Sequence, residues 1–165
     1  MMTPSPVDWT SWTGGMRATI LFVIKDGKIL LIEKKRGLGA GKINGPGGKI
    51  DPGETPLEAA IRETEEELLI TPLAPRKLGE LQFSMTDCPH ILCHVYRADD
   101  FIGIPTETDE AVPLWTGIDA IPYPRMWEDD QHWLPLLLEE RSFLGRFVFE
   151  GDRLLWSQVT TDVIW

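Results

Sequence analysis

Apolar residues along this chain come in short runs broken by turn-forming residues, and the period of the pattern changes from segment to segment. Arg17 to Ile24 and Lys28 to Glu33 are rich in Ile, Leu and Val and flank Lys25-Asp26-Gly27, the pattern of two antiparallel strands joined by a tight turn. From Gly37 to Gly53 there are seven glycines and two prolines, a density that regular structure tolerates badly, and the segment reads as an irregular loop with backbone packed close to a ligand. Thr55-Pro56-Leu57-Glu58 then supplies an N-cap, a proline at the first helical position and a glutamate three residues after the cap, predicting a helix to about Leu69. Leu57, Ala60, Ile61, Thr64 and Leu68 recur at helical spacing as a stripe for packing on a sheet, and Pro72 and Pro75 are expected to end the helix. Further strands are predicted around Leu78 to Met85, Ile91 to Arg97 and Ala111 to Thr116. A second helix over Asp129 to Glu140 carries Trp133, Leu134, Leu137 and Leu138 on its apolar side, and Phe143 to Glu150 with Arg153 to Val159 predicts a closing hairpin around Gly151-Asp152.

Strands interspersed with two helices in 165 residues predict one domain of the α/β (α+β) class, residues 16–165, behind an extension of residues 1–15. The run Ala18 to Ile24, interrupted by Thr19 and stopped by Lys25, falls far short of the roughly 20 residues that span a bilayer. No basic cluster followed by an apolar run opens the chain, so a cytoplasmic protein without a membrane partner is expected, and a monomer. A formal charge of -10 opposes binding to a nucleic acid polymer, because neutralising many phosphates requires clustered Lys and Arg. If a ligand carries phosphates, metal cations must bridge to it. Cys88 and Cys93 lie near His90 and His94, but residues five apart on a strand point to opposite faces, so two reduced thiols are expected rather than a zinc site.

The chemistry concentrates in Glu63, Glu66 and Glu67, whose i, i+3, i+4 spacing places three carboxylates within roughly a 100° arc of one helix face. Like charges so placed repel by a few tenths of a kcal/mol per pair, which a divalent cation would relieve. Oxygen ligands with little His or Cys select Mg²⁺, or Mn²⁺ as a substitute, over zinc. A solvated acidic face, with Arg62 paired to Glu58 or Glu66, is the plainer alternative. Gly47-Gly48 and Gly53-Glu54 lead into the same helix, however, so loop and carboxylates suggest one site.

Read in order, Gly48, Glu54, Arg62-Glu63, Glu66-Glu67 and Ile70 resemble the Nudix box at seven of its nine specified positions. The departures are Thr64, where the family prefers a larger apolar residue, and Leu69, where it prefers glycine; the latter leaves the helix exit open. The resemblance implies an alpha/beta/alpha sandwich around a mixed sheet, with Gly47, Glu63, Glu66 and Glu67 at the metal, Gly47 and Gly48 also binding substrate, and Glu54 and Arg62 supporting loop and helix. Lys34-Lys35-Arg36-Gly37, Gly39-Ala40-Gly41, Asn44-Gly45 and Met126-Trp127-Glu128-Asp129-Asp130 further resemble the MutT-homologue enzymes that hydrolyse oxidised purine nucleoside triphosphates.

Carried over by position, Asn44, Trp127, Asp129 and Asp130 match purine-recognition residues, Glu110 matches an additional metal-site or base candidate, and Thr19 and Lys34 match residues lining the pocket. Physically, an indole stacks on a purine face, a carboxamide bonds donor and acceptor edges, and two adjacent carboxyls that repel one another retain a proton with which to donate. Against this, Asp129-Asp130 could simply favour a helix N-terminus. Leu38 and Pro46 replace positions that are often aromatic, and Glu128 replaces a proline, which bears on base preference. The expected reaction is metal-assisted hydrolysis of a small-molecule nucleoside triphosphate to the monophosphate and pyrophosphate, with other Nudix substrates, or nucleotide binding without catalysis, as the rivals.

Overall fold

The computed structural model describes residues 4–86 and 89–165; Cys88 of the cysteine–histidine group lies outside the described residues. The opening hairpin forms as read. Strand β1 (Met16–Lys25) turns through Asp26 and Gly27, at φ 53° and 72°, into β2 (Lys28–Lys34), with Lys25 opposite Lys28. Two consecutive left-handed residues make a turn whose twist matches that of the flanking strands. Alternation then buries both faces of the hairpin: Ile20, Phe22, Ile29 and Leu31 join one core, and Leu21, Val23, Leu30 and Ile32 the other. A strand buried on both faces belongs at the centre of a layered fold.

The glycine-rich segment is more regular than the composition suggests, since it holds β3 (Ile43–Asn44) and β4 (Gly47–Lys49). They are followed by α1 (Pro56–Leu68), β5 (Ile70–Leu73), β6 (Arg76–Met85), β7 (Ile91–Ala98), β8 (Asp100–Gly103) and β9 (Ala111–Gly117). A short 3₁₀ turn at Tyr123–Arg125 leads to α2 (Asp130–Leu138), and β10 (Phe143–Glu150) and β11 (Arg153–Thr161) form the closing hairpin. Among the described residues the main sheet runs β11-β10-β6-β7-β1-β2-β3, with β4 beside β1 and β9 beside β2. β1–β7 and β6–β10 are parallel and the other pairs antiparallel, so the sheet is mixed. Along one edge β1 pairs first with β4, at Ala18 to Ile20, and then with β2, at Ile24 and Lys25. That change of partner brings the glycine-rich backbone against the centre of the sheet.

The two helices take opposite faces. Ala60 and Leu68 of α1 pack with Leu21, Val23, Leu30 and Ile32, whereas Trp133, Leu134 and Leu137 of α2 pack with Phe22, Phe143 and Phe147, giving the expected sandwich. Helix α1 starts in a capping box, Thr55 Oγ1 accepting from Glu58 N–H while Glu58 accepts from Thr55 N–H. Its buried face differs from the expected stripe: Ala59 is buried and Leu57 exposed, and Thr64 is buried with its hydroxyl donating to the Ala60 carbonyl at 2.8 Å. The helix ends at Leu69, in the left-handed region at φ 59°, ψ 33°, rather than at the prolines. A Cβ there costs roughly 1–2 kcal/mol, and β5, which begins at the next residue and pairs with β8, holds the turn in place. Pro72 lies inside this two-stranded ribbon, a place where a missing N–H is tolerated.

The extension before β1 is folded onto the body. Trp9 stacks on Trp156 of β11 at 6.0 Å between ring centroids and lies beneath the Arg146 guanidinium at 5.7 Å, while Trp12 meets His90 at 6.0 Å. Its own Ser5 hydroxyl accepts from the Trp9 indole N–H at 2.7 Å. No helix among the described residues is long and apolar enough to cross a membrane.

Candidate active site

Helix α1 and the loop before β9 bring three acidic residues together. One ligand oxygen each from Glu63, Glu67 and Glu110 lie within 4.8 Å of one another. Gly48 of β4 sits against this group, and a Cβ at Gly48 would lie 2.7 Å from the Glu63 carboxyl carbon, so a larger residue would displace the carboxylate. The neighbouring Gly47 N–H donates to Glu67 Oε2 at 2.7 Å. Burial pushes Glu67 up to about 8, the Gly47 hydrogen bond offsetting it only in part and the charges of Glu63 and Glu110 adding to it. Burial likewise raises Glu63, against the nearby Arg62 guanidinium. A buried carboxylate with two others converging on it in this way is costly without a compensating cation.

Arg62 organises the other side. Its Nε and Nη2 fork onto Glu54 at 2.6 and 2.9 Å, Nη2 also donates to the Lys49 carbonyl at 3.1 Å, and Nη1 reaches Glu63 at 3.0 Å and Glu66 at 3.2 Å. The guanidinium holds the Glu54 carboxyl down at about 2. Glu66 is half-exposed and shares the Arg62 Nη1 with Glu63, so the structure gathers Glu63, Glu67 and Glu110 where helical spacing predicted Glu63, Glu66 and Glu67. Arg62 pairs with Glu66, and Glu58 is taken by the capping box.

Two cavities, of about 150 and 310 Å³, share Ile20, Lys34, Leu38, Asn44, Ile91 and Cys93 in their walls. The larger reaches Thr19, Gly47, Gly48 and Glu67; the smaller is lined by Trp127, Asp129, Asp130 and Trp133. All eight residues read from the sequence as substrate-binding therefore line one cleft, from the acidic cluster at one end to the tryptophan and paired aspartates at the other.

At that second end Asp129 and Asp130 are buried, each 3% exposed, at the start of α2. Asp129 does not cap the helix with its side chain; Oδ2 accepts the Trp133 indole N–H at 2.8 Å. Burial raises Asp129 to about 6, with that hydrogen bond working against it. Burial, the Asp129 charge and a hydrogen bond between the two carboxyls raise Asp130 well above the carboxylate range. The pair therefore holds a proton at neutral pH, one carboxyl donating and one accepting. Trp127 is fixed edge-on by Phe149 at 5.8 Å and lies under the Lys42 ammonium at 5.0 Å. Asn44 Oδ1 accepts from Gly45 N–H at 2.9 Å, leaving the amide NH₂ as a donor. Glu128 turns elsewhere and accepts from the Leu154 N–H at 2.9 Å.

The apolar floor escaped sequence reading. Leu81, Phe83, Met85, Ile91, Cys93 and Phe149 line the smaller cavity from three neighbouring strands. Each stands on the same strand face as true core residues, so alternation alone offers no signal that separates floor from core. Cys93 is here a buried thiol on the cleft wall, pushed well above its ordinary pKa by burial.

A NUDIX domain model matches residues 15–137. The oxidized purine nucleoside triphosphate hydrolase of Danio rerio is 45% identical over 138 residues, covering 83% of this chain and 88% of that relative. The enzyme of the same name from Mus musculus is 38% identical, covering 88% and 94%. A MutT protein crystal structure from Bacillus halodurans superposes with a TM-score of 0.80 at 26% identity, covering 87% of this chain and 97% of that one. The matched span contains the glycines of β4, the carboxylates of α1 and the aspartate pair, and on that ground the chain belongs to the Nudix family.

Proposed function

We propose that this protein hydrolyses oxidised purine nucleoside triphosphates, such as 8-oxo-dGTP or 2-hydroxy-dATP, to the monophosphate and pyrophosphate. It does so with Mg²⁺, for which Mn²⁺ substitutes, as a cytoplasmic monomer that clears the nucleotide pool. The observation that supports this reading best is the single cleft joining an acidic cluster to a tryptophan and a proton-sharing aspartate pair. The two vertebrate relatives carry that activity in their names.

The acidic end suits a hard divalent cation. Its donors are all carboxylate oxygens, they converge within 4.8 Å, and Glu67 is buried among like charges. Glu63, Glu67 and Glu110 would hold the metal, and Glu66 would join them on releasing Arg62, which has Glu54 and the Lys49 carbonyl as its other partners. When bound, the cation supplies charge neutralisation to the phosphate oxygens and acidifies a water that attacks phosphorus. Lys34, which lines both cavities, meets phosphate charge between the two ends. The base lies against Trp127, with the Asn44 NH₂ as donor on one edge. Of the aspartates, the protonated carboxyl donates to a purine carbonyl oxygen and the ionised one accepts from ring or exocyclic N–H.

The test is pyrophosphate release with Mg²⁺ from 8-oxo-dGTP, 2-hydroxy-dATP, dGTP and dATP, with Glu67→Gln alongside. Strong preference for an oxidised purine and an inactive variant are expected. Hydrolysis of none of the four by the unmodified protein would overturn the assignment.

A further inference from the structure

Glu110 reaches Glu63 and Glu67 from an irregular loop between β8 and β9, so its place in the cluster depends on what fastens that loop to α1. One side chain spans the join. The Thr108 hydroxyl donates to the Glu67 backbone carbonyl at 2.8 Å and accepts from the Glu110 N–H at 3.3 Å. A single oxygen thus links the backbones of two residues whose carboxylates converge. The Glu67 carbonyl is among the last four of the helix, which lack an intrahelical partner, and the last turn carries no basic residue to meet them. Separate backbone bonds complete the attachment: Thr106 N–H to the Leu68 carbonyl at 2.9 Å, Thr108 N–H to the Ala111 carbonyl at 3.0 Å and Lys35 N–H to the Glu110 carbonyl at 2.9 Å.

We propose that Thr108 is a positioning residue that sets Glu110 against Glu63 and Glu67 for cation binding. The inference rests on the reading of those carboxylates as a metal site. Because the three backbone bonds do not use the hydroxyl, replacing it by a methyl in Thr108→Val leaves the loop attached and removes only the link between Glu67 and Glu110. Loss of an outer-shell partner of this kind typically weakens metal binding 10–100-fold, and because Thr108 acts on one ligand the lower end, roughly tenfold, is expected.

The experiment titrates Mn²⁺ alone into the full chain, following free Mn²⁺ by electron paramagnetic resonance, for the unmodified protein, Thr108→Val, Thr108→Ser, Glu110→Gln and Thr108→Val/Glu110→Gln, with melting temperatures in parallel. Expected are a roughly tenfold weaker Kd for Thr108→Val at a melting temperature lowered by no more than a few degrees, recovery in Thr108→Ser, and no further loss when Thr108→Val is added to Glu110→Gln. Unchanged Mn²⁺ affinity in Thr108→Val, or losses that multiply in the double variant, would overturn the role of Thr108. An unmodified protein that takes up no Mn²⁺ would instead overturn the metal-site reading, and this inference with it.

Discussion

Glu67→Gln should make the metal-free protein more stable at alkaline pH. Burial first, then the charges of Glu63 and Glu110, raise Glu67 from 4.5 to about 8 in the folded state, against the Gly47 hydrogen bond. Between those values the folded chain keeps a proton that the unfolded chain has released, so stability falls as pH rises through the window and is lowest above about 8. Each pH unit of that window costs about 1.4 kcal/mol, on the order of 5 kcal/mol across it. Glutamine keeps a carbonyl oxygen for the Gly47 N–H and carries no charge, so it escapes the cost. Asp129 and Asp130 also have raised pKa values and weaken the fold over part of this range, but equally in both proteins, and they cancel in the difference. Urea unfolding in EDTA from pH 5 to 8.5 measures that difference: the two proteins should match near pH 5 and separate by several kcal/mol at pH 8.5. Added Mn²⁺ should restore the unmodified protein and leave the variant little changed, since only the former binds the ion well. Stability curves that stay parallel from pH 5 to 8.5 would refute the electrostatic account of Glu67.

Two further substitutions probe the cleft. Trp133→Phe removes the N–H that holds Asp129 down near 6, so Asp129 should lose its charge at higher pH and the acid limb of kcat/KM for an oxidised purine should move up by roughly one pH unit; a folded variant with an unmoved limb would show that ionised Asp129 does not read the base. Gly48→Ala puts a Cβ 2.7 Å from the Glu63 carboxyl carbon and should lower kcat roughly 100-fold at near-normal melting temperature, whereas full activity would separate Glu63 from catalysis.

Local rules carried the sequence reading where one segment decides its own shape. The Thr55 to Glu58 box starts α1 as expected, and Asp26-Gly27 and Gly151-Asp152 turn the two hairpins. The reading fell short where partners come from afar. Three residues at Gly47 to Lys49 become a strand only because β1 offers them an edge, and Leu69 stays left-handed because β8 captures the next residue. Among the carboxylates, helical spacing alone gathers Glu63, Glu66 and Glu67, whereas Glu110, which enters from a loop that helical spacing does not reach, was legible through the family resemblance. The far end of the cleft was legible through resemblance at Asn44, Trp127, Asp129 and Asp130, yet its floor was not, because Ile91 and Cys93 follow the same alternation as a closed core.

The stacking of Trp9 on Trp156 also bears on how the chain is made. Synthesis delivers Trp9 long before Trp156, and β10 must already lie beside β6 before β11 can present the indole. The Trp9 indole therefore waits for β6, β10 and β11 to be made and paired before it is covered, an interval in which the nascent segment is open to chaperones, proteases and self-association.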